Sequence, residues 1–452
     1  MTMVTSAKGA LLLATAALII LAPRIRADGE EGAISTSESS GSVQADELGT
    51  GTFSRLPFRV SASVRGGYDD NITTASVDRQ ESAFTNGSIA LTYDFGSPRT
   101  QLSLQTGGGL TYYWDQSQST FNNNQDYDVN GYLGLSLKHK ASPRLTFDVS
   151  AYATYQTEPD FTLALGLNRR SGNFFYTQDR FMTTYLWAPR FATATSYTFG
   201  TLRYDDTAIG LFEDRFEHTF GNEFKFLLWP TTTLVAEYRF QLVTYDHEGD
   251  VIGPVPGFFF GPFFIPTGPA PVLDRDSTSH FALLGIDHSF SPRFSASIRG
   301  GAEFRNYSDA EFIEKDRMSP YFEGTLNYAL GKNTSLTWTN RYGIEEGDVQ
   351  LSATRKTFRT GLRARHDITS RITANIGAYY QHDDYDSVDR PDVTSDSAAF
   401  TEEAFDIALS LRYAFTRYFG VEAGYNHTEV WSDVVFRDYS RNRYWAGLNV
   451  VF

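Results

Sequence analysis

Tyr439 to Phe452 reads YSRNRYWAGLNVVF, and its alternation decides the fold. With the stretch extended, Tyr444, Ala446, Leu448, Val450 and Phe452 share one face. Arg443, Gly447 and Asn449 share the other, with Trp445 and Val451 among them. Successive strand side chains point to opposite faces, so this two-residue period predicts a half-buried strand. Chain ends usually fray, yet here the alternation runs through Phe452. The last strand of a soluble sheet would alternate in the same way, so the rest of the chain must separate the two readings.

Upstream the same rhythm recurs. Val60, Ala62 and Val64 alternate with Arg59, Ser61, Ser63 and Arg65. Ile89, Leu91, Tyr93 and Phe95 form the next apolar face, and Leu133, Leu135 and Leu137 a later one. Short turns fall at 96–99, 141–144, 188–190, 229–232, 291–293, 331–334, 368–371 and 416–418. Most hold Pro, Gly, Asn or Ser between two alternating runs, which is hairpin chemistry. Longer polar loops lie at 69–81, 115–124, 158–173, 205–213, 246–276, 308–314, 346–352, 384–400 and 432–438. Together they join about eighteen strands, an even number with both ends on the short-turn side. Short turns on one rim and long loops on the other is the asymmetry of a transmembrane β-barrel. Most strands reach the roughly 9–11 residues that cross a bilayer at a tilt. The predicted class is therefore all-β, an antiparallel transmembrane barrel with short periplasmic turns and long extracellular loops.

Composition agrees. Tyr 26 and Phe 36 against Met 4 favour strands and interfacial belts. Tyr93, Phe95, Tyr112, Trp114, Phe290, Tyr328, Trp338, Tyr380, Tyr413 and Phe415 fall at strand ends, as such belts require. No apolar run of about 18 residues follows the amino terminus, so strands must do any spanning, and lipid tolerates no open edge. The net charge of -15 gives phosphate no basic face, which argues against nucleic acid. Without cysteine there is neither a disulfide framework nor a thiolate metal site.

Residues 1–27 read as a secretory signal: Lys8, an apolar run from Gly9 to Ala22, then Pro23 and the small Ala27. Residues 28–55, rich in Ser, Gly and acids, read as a disordered periplasmic linker. The barrel is expected over 56–452.

Arg59 to Gly67 (RVSASVRGG) echoes in Arg293 to Gly301 (RFSASIRGG). Duplicated hairpins and a narrow alphabet under one alternation both account for it. Arg355, Arg359, Arg363 and Arg365 share one strand face, opposite Phe358, Leu362 and Ala364. Arg293, Arg299, Arg305 and Arg341 join them as lumen candidates, with Glu303, Glu323 and Glu345. Such a ladder either draws anionic solutes through a wet pore or braces the wall by pairing with the carboxylates. The Phe- and Pro-rich loop 246–276, with GFFFGPFFIP at 257–266, is expected to narrow the mouth, to dock on a partner, or to pack as a loop tip on its neighbours or on lipopolysaccharide.

Enzyme signals are weak. The eight histidines are scattered, and neighbours within Asp287-His288-Ser289 point to opposite faces of a strand. No metal-ligand spacing, phosphate loop or nucleophile elbow is present, so no metal, cofactor or catalytic residue is assigned. Asp69-Asp70 and Asp383-Asp384 read as solvated turn acids, with surface calcium as the other reading.

Gly67-Tyr68-Asp69-Asp70-Asn71-Ile72, closing the first strand, resembles the opening stretch of the Putative beta-barrel porin 2 family. The alternation of Tyr444, Leu448, Val450 and Phe452 resembles the carboxy-terminal assembly signal of bacterial outer-membrane barrels. The resemblance implies a Gram-negative outer-membrane barrel, often associated with exopolysaccharide or capsule systems. Its partners would be lipid and lipopolysaccharide, the barrel assembly machinery, and saccharides or small hydrophilic solutes, with homo-oligomers a further expectation. The leading functional expectation is a porin-like channel for small hydrophilic solutes or saccharides. A closed structural or surface-binding barrel is the second, and an outer-membrane hydrolase the third.

Overall fold

The computed structural model describes residues 58–115, 127–161, 169–170, 172–246, 251–252, 270–271, 275–308, 316–348, 354–386, 399–434 and 436–452. The signal and linker expected over 1–55 lie outside the described residues, as does most of the Phe- and Pro-rich loop. Eighteen strands form one sheet. In chain order they are β1 (Phe58–Asp69), β2 (Ser82–Ser97), β3 (Thr100–Tyr113), β4 (Tyr127–Lys140), β5 (Leu145–Gln156) and β6 (Phe174–Ala188). Next come β7 (Phe191–Tyr204), β8 (Arg215–Trp229), β9 (Thr232–Tyr245), β10 (Ser277–Ser291), β11 (Phe294–Tyr307) and β12 (Asp316–Leu330). The last six are β13 (Thr334–Glu346), β14 (Thr354–Asp367), β15 (Ile372–Tyr385), β16 (Phe400–Ala414), β17 (Phe419–Ser432) and β18 (Tyr439–Val451). A seven-residue helix of about two turns, α1 (Thr207–Glu213), stands between β7 and β8. Val251–Ile252 also pairs with Ala270–Pro271, apart from the main sheet.

Every neighbouring pair is antiparallel, and the sheet closes on itself. Ser61 to Asp69 pair with Val451 to Arg443. The seam extends one residue further: Phe452 donates its N–H to the Val60 carbonyl at 2.7 Å, and Val60 returns the bond at 3.2 Å. Closure leaves no unpaired edge, which is the condition for a sheet to live in lipid. All eight short turns and nine long loops read from the sequence fall between these strands. The turn after β12 needs Gly331, whose φ of 72° lies in the left-handed region.

The two faces are opposite in character. Outward residues such as Ile89 (60 % exposed), Leu284 (72 %) and Met318 (68 %) would be costly in water and are at home in lipid. Inward positions carry mostly Ser, Thr, Asn, Gln and charges, with apolar patches such as Phe281, Leu283 and Tyr321 among them. Inward aromatic rings lie flat across glycines of the neighbouring strand. A Cβ on Gly107 would meet Tyr132 at 2.8 Å, and one on Gly361 would meet Tyr379 at 2.8 Å. This is cross-strand aromatic cover of a bare glycine, and it lays the rings along the wall.

The sequence echo has a structural counterpart. Arg65 on β1 and Arg299 on β11 are both buried inward arginines, bonded to Glu422 and Asp287 respectively. Arg293, by contrast, is not on the wall. It sits in the exposed periplasmic turn before β11, where its N–H donates to Ser291 Oγ at 3.2 Å. The turn consumes the residue that β1 keeps in its strand as Arg59.

Candidate functional site: the lumen

Toward the extracellular rim, inward side chains form a dense ion-pair lattice. Its first part straddles the seam. Arg441 donates to both oxygens of Asp69 (3.0 and 3.1 Å from Nε) and to Glu158 (2.6 Å). Arg443 adds a contact to Asp69 at 3.1 Å. Tyr113 donates to Glu158 at 3.2 Å, and Arg170 bonds Asp128 and the Ile72 carbonyl. Burial pushes the Glu158 carboxyl up, but Arg441, Arg443 and Arg170 outweigh it and hold it well below the usual carboxylate range. Asp69 is therefore no solvated turn acid. The strand runs one residue further than its acidic sequence suggests, and an arginine from the last strand covers it.

A second part joins β14, β15 and β16 to the loops above them. Arg355 is fully buried and donates to Asp383 (3.3 Å) and Tyr385 (2.8 Å). Asp383, also read as a solvated acid, is fully buried as well and accepts from Thr357 at 2.7 Å. Arg437 reaches both Glu402 (3.1 Å) and Asp348 (3.3 Å). Burial raises the Asp348 carboxyl; Arg437 and Arg355 overcome that and leave it lowered.

The third part lies under α1. Arg305 bonds Glu303 (3.1 Å) and Glu346 (2.6 Å), and Tyr245 donates to Glu346 at 2.8 Å. Arg275 donates to the carbonyls of Gly347, at 2.6 Å, and Phe212. Glu213, at the end of α1, lies 3.5 Å from Arg275 and 3.4 Å from Arg215. Burial pushes its carboxyl up to about 7 against the pull of both arginines. The apolar side of α1 packs inward too, with Ile209 against the cluster of Tyr152, Phe174, Tyr176, Leu202 and Tyr204.

These contacts cross the bore. The β5–β6 connection carries Arg169 to Glu402 on β16 at 2.7 Å. Going round the ring from β6 to β16 passes β5, β4, β3, β2, β1, β18 and β17. Sequence reasoning offered the Phe- and Pro-rich loop as one that narrows the mouth, and most of that loop lies outside the described residues; within them, Arg169 ties the β5–β6 connection to β16, and Arg437 and Arg275 likewise join non-adjacent connections through Asp348 and Gly347. The signal for the β5–β6 connection was the adjacent pair Arg169-Arg170 following the apolar run FTLALGL at 161–167. The helix α1 was missed as well, although Ile209, Leu211 and Phe212 stand out as apolar in a loop that opens on Asp205-Asp206.

The proposed ladder is thus divided. Arg355, Arg359, Arg365, Arg299 and Arg305 each have a carboxylate, namely Asp383, Glu345 (2.5 Å), Asp367 (3.1 Å), Asp287 (2.6 Å) and Glu303. Glu323 is held by Arg239 at 2.5 Å. Arg341 comes no nearer than 3.8 Å to Glu345. Arg363 makes no hydrogen bond or ion pair among the described residues. Asp287 and His288 diverge as alternation requires: Asp287 meets Arg299 inside, whereas His288 meets Thr232 at 2.8 Å outside.

Among solved structures, the chain resembles OccAB4 of Acinetobacter baumannii (9 % identity, 88 % of this chain and 99 % of that one, TM-score 0.39). It also resembles the outer-membrane protein opdK of Pseudomonas aeruginosa (10 %, 87 % and 99 %, 0.40) and the siderophore receptor PirA of the same species (8 %, 88 % and 80 %, 0.37). No curated protein matches it. Residues 49–452 match the family model for Putative beta-barrel porin 2, and the chain belongs to that family of porin-like barrels of the bacterial outer membrane.

Proposed function

We propose that this barrel passes small hydrophilic solutes, saccharides among them, down their gradients and performs no covalent chemistry. The observation that carries the reading is the inner wall. It is largely polar, with Ser61, Ser63, Ser279, Glu303, Thr357 and Gln381 among its buried side chains, and rings such as Tyr132 and Tyr379 are laid flat on glycines. At eighteen strands a barrel is wide enough for an aqueous path. Solutes enter past the ion-paired extracellular lattice, which sets the narrowest part. Lipid, lipopolysaccharide and the assembly machinery are its partners at the outer face, and the outward side of β18 with Tyr444, Leu448, Val450 and Phe452 serves assembly. Purified protein in planar bilayers should give discrete conductance steps in potassium chloride; a silent, correctly folded barrel would sink the reading.

The bond from Arg169 to Glu402 across the bore favours a second reading, a closed barrel whose loops hold a surface polymer. Arg169→Ala separates the two. A closed barrel should begin to conduct when this strut is cut, whereas an open one should change its step size only modestly.

A further inference from the structure

Arg363 stands apart from the other ladder arginines that lie on the wall. It points inward from the periplasmic half of β14, half-buried in the wall. Its register partners are Thr337 on β13 and Gly377 on β15. Thr339, Asn375 and Tyr379 lie on the diagonals, and all are uncharged. The nearest charge on its own face is Arg365, which Asp367 already holds at 3.1 Å. A guanidinium is always charged and offers five donors in a planar fork. In a wall where Arg299, Arg305, Arg355, Arg359 and Arg365 hold carboxylates, a guanidinium with no acceptor among the described residues is available to a solute.

Beside it lies a flat surface. The Tyr379 ring covers Gly361, where a Cβ would meet it at 2.8 Å, and extends over Gly377, where a Cβ would come 3.3 Å from Cε2 and 3.9 Å from the hydroxyl. The ring thus ends beside the register partner of Arg363. Asp406, in register with Tyr379, is turned to the far side, accepting from Asn426 at 2.9 Å and Thr428 at 2.7 Å. A cationic fork next to an aromatic face, with hydroxyl and amide groups around it, suits one ligand shape: a ring that carries a carboxylate. The fork takes both carboxylate oxygens, and the Tyr379 face takes the ring.

We propose that Arg363 and Tyr379 form a transit subsite for ring-borne carboxylates, either an acidic sugar or an aromatic acid. The proposal rests on the channel reading and names the solute class it favours. The probes are galacturonate, benzoate, galactose (ring without charge) and acetate (charge without ring). They are applied to the full chain in two ways: as blockers of potassium chloride current in planar bilayers, and by calorimetry on detergent-solubilised protein. Galacturonate or benzoate should bind at least about tenfold more tightly than galactose or acetate, and the tighter of the two identifies the source. Arg363→Gln should weaken that binding by about tenfold or more with folded migration intact, and Tyr379→Leu should bring the ring acid down to the level of acetate. Equal affinities in wild type and Arg363→Gln, or acetate binding as well as both ring acids, would overturn the subsite. Absence of current from wild type would overturn the channel reading, while calorimetry would still decide the subsite.

Discussion

The two halves of the lumen treat charge differently. Near the extracellular rim the pairs are dry: the side chains of Arg441 and Asp69 are 4 % and 0 % exposed, and those of Arg355 and Asp383 are both 0 %. Near the periplasmic rim they are wet: Arg59 and Asp94 are 37 % and 48 % exposed, and Arg365 and Asp367 are 30 % and 38 %. Dry pairs are strong only as complete sets, because each ion has lost its water. Wet pairs are screened and contribute little. The upper half is therefore a framework that fixes loops across the mouth. The lower half is a lining whose charges remain open to solutes.

The largest effect should come from breaking a complete set. Arg441→Met leaves Asp69 and Glu158 buried without their main cation. Removing one partner of a buried pair costs about 3–5 kcal/mol. The folded, fast-migrating form should melt at a markedly lower temperature in detergent, while the matching change at the wet end, Arg59→Met, should barely move it. Similar melting of the two variants would erase the distinction between the halves.

Next is the seam that holds both halves in one ring. A Cβ on Gly447 would fall 2.9 Å from the Arg65 Cα and against the Val64 carbonyl oxygen. Gly447→Ala must push β18 away from β1, at a cost of about 1–3 kcal/mol for overpacking. Gly87→Ala meets nothing within 4 Å and is the control. Assembly yield in the membrane should fall for the first and hold for the second.

The third effect is a pH response confined to the upper half. The raised pKa of Glu213 means that the folded state binds its proton more tightly than the unfolded chain does. Between the ordinary glutamate value and about 7, stability therefore rises as pH falls, by at most about 1.4 kcal/mol per unit. Above 7 the buried carboxylate is charged and its full penalty is felt. Glu158 and Asp348, being lowered, act with the opposite sign and lose their contribution only as pH drops through the acid range. Melting from pH 8 to 5.5 should thus climb in wild type and stay flat in Glu213→Gln.

The contrast also explains what the sequence could disclose. Strand rhythm and turn chemistry are local, so the hairpins between 58 and 452, and the closure implied by Phe452, are legible from neighbouring residues. Partnership is not local. Arg441 finds Asp69 across 372 positions, and Arg169 finds Glu402 across 233. Nothing near Asp69-Asp70 announces the arginine that buries it, so those acids look solvated. The arginine ladder appears uniform in sequence because its face is visible while its carboxylates lie on other strands.

Arg363 should give the smallest change in stability, and that smallness is what sharpens the comparison. Arg355 and Arg363 lie on the same face of the same strand, eight positions apart in the sequence. One is enclosed by Asp383 and Tyr385; the other has neutral partners on both neighbouring strands, Thr337 and Gly377. A surface-like residue without partners changes stability by about 0.5 kcal/mol or less when replaced. Arg363→Gln should therefore melt with wild type, whereas Arg355→Gln, which strands Asp383, should melt well below it. With folding unchanged, any shift in anion permeability of Arg363→Gln must come from the lumen. A reversal potential displaced toward cations in that variant, with no displacement in Arg365→Gln, would assign the selectivity to Arg363, which has no ion pair among the described residues.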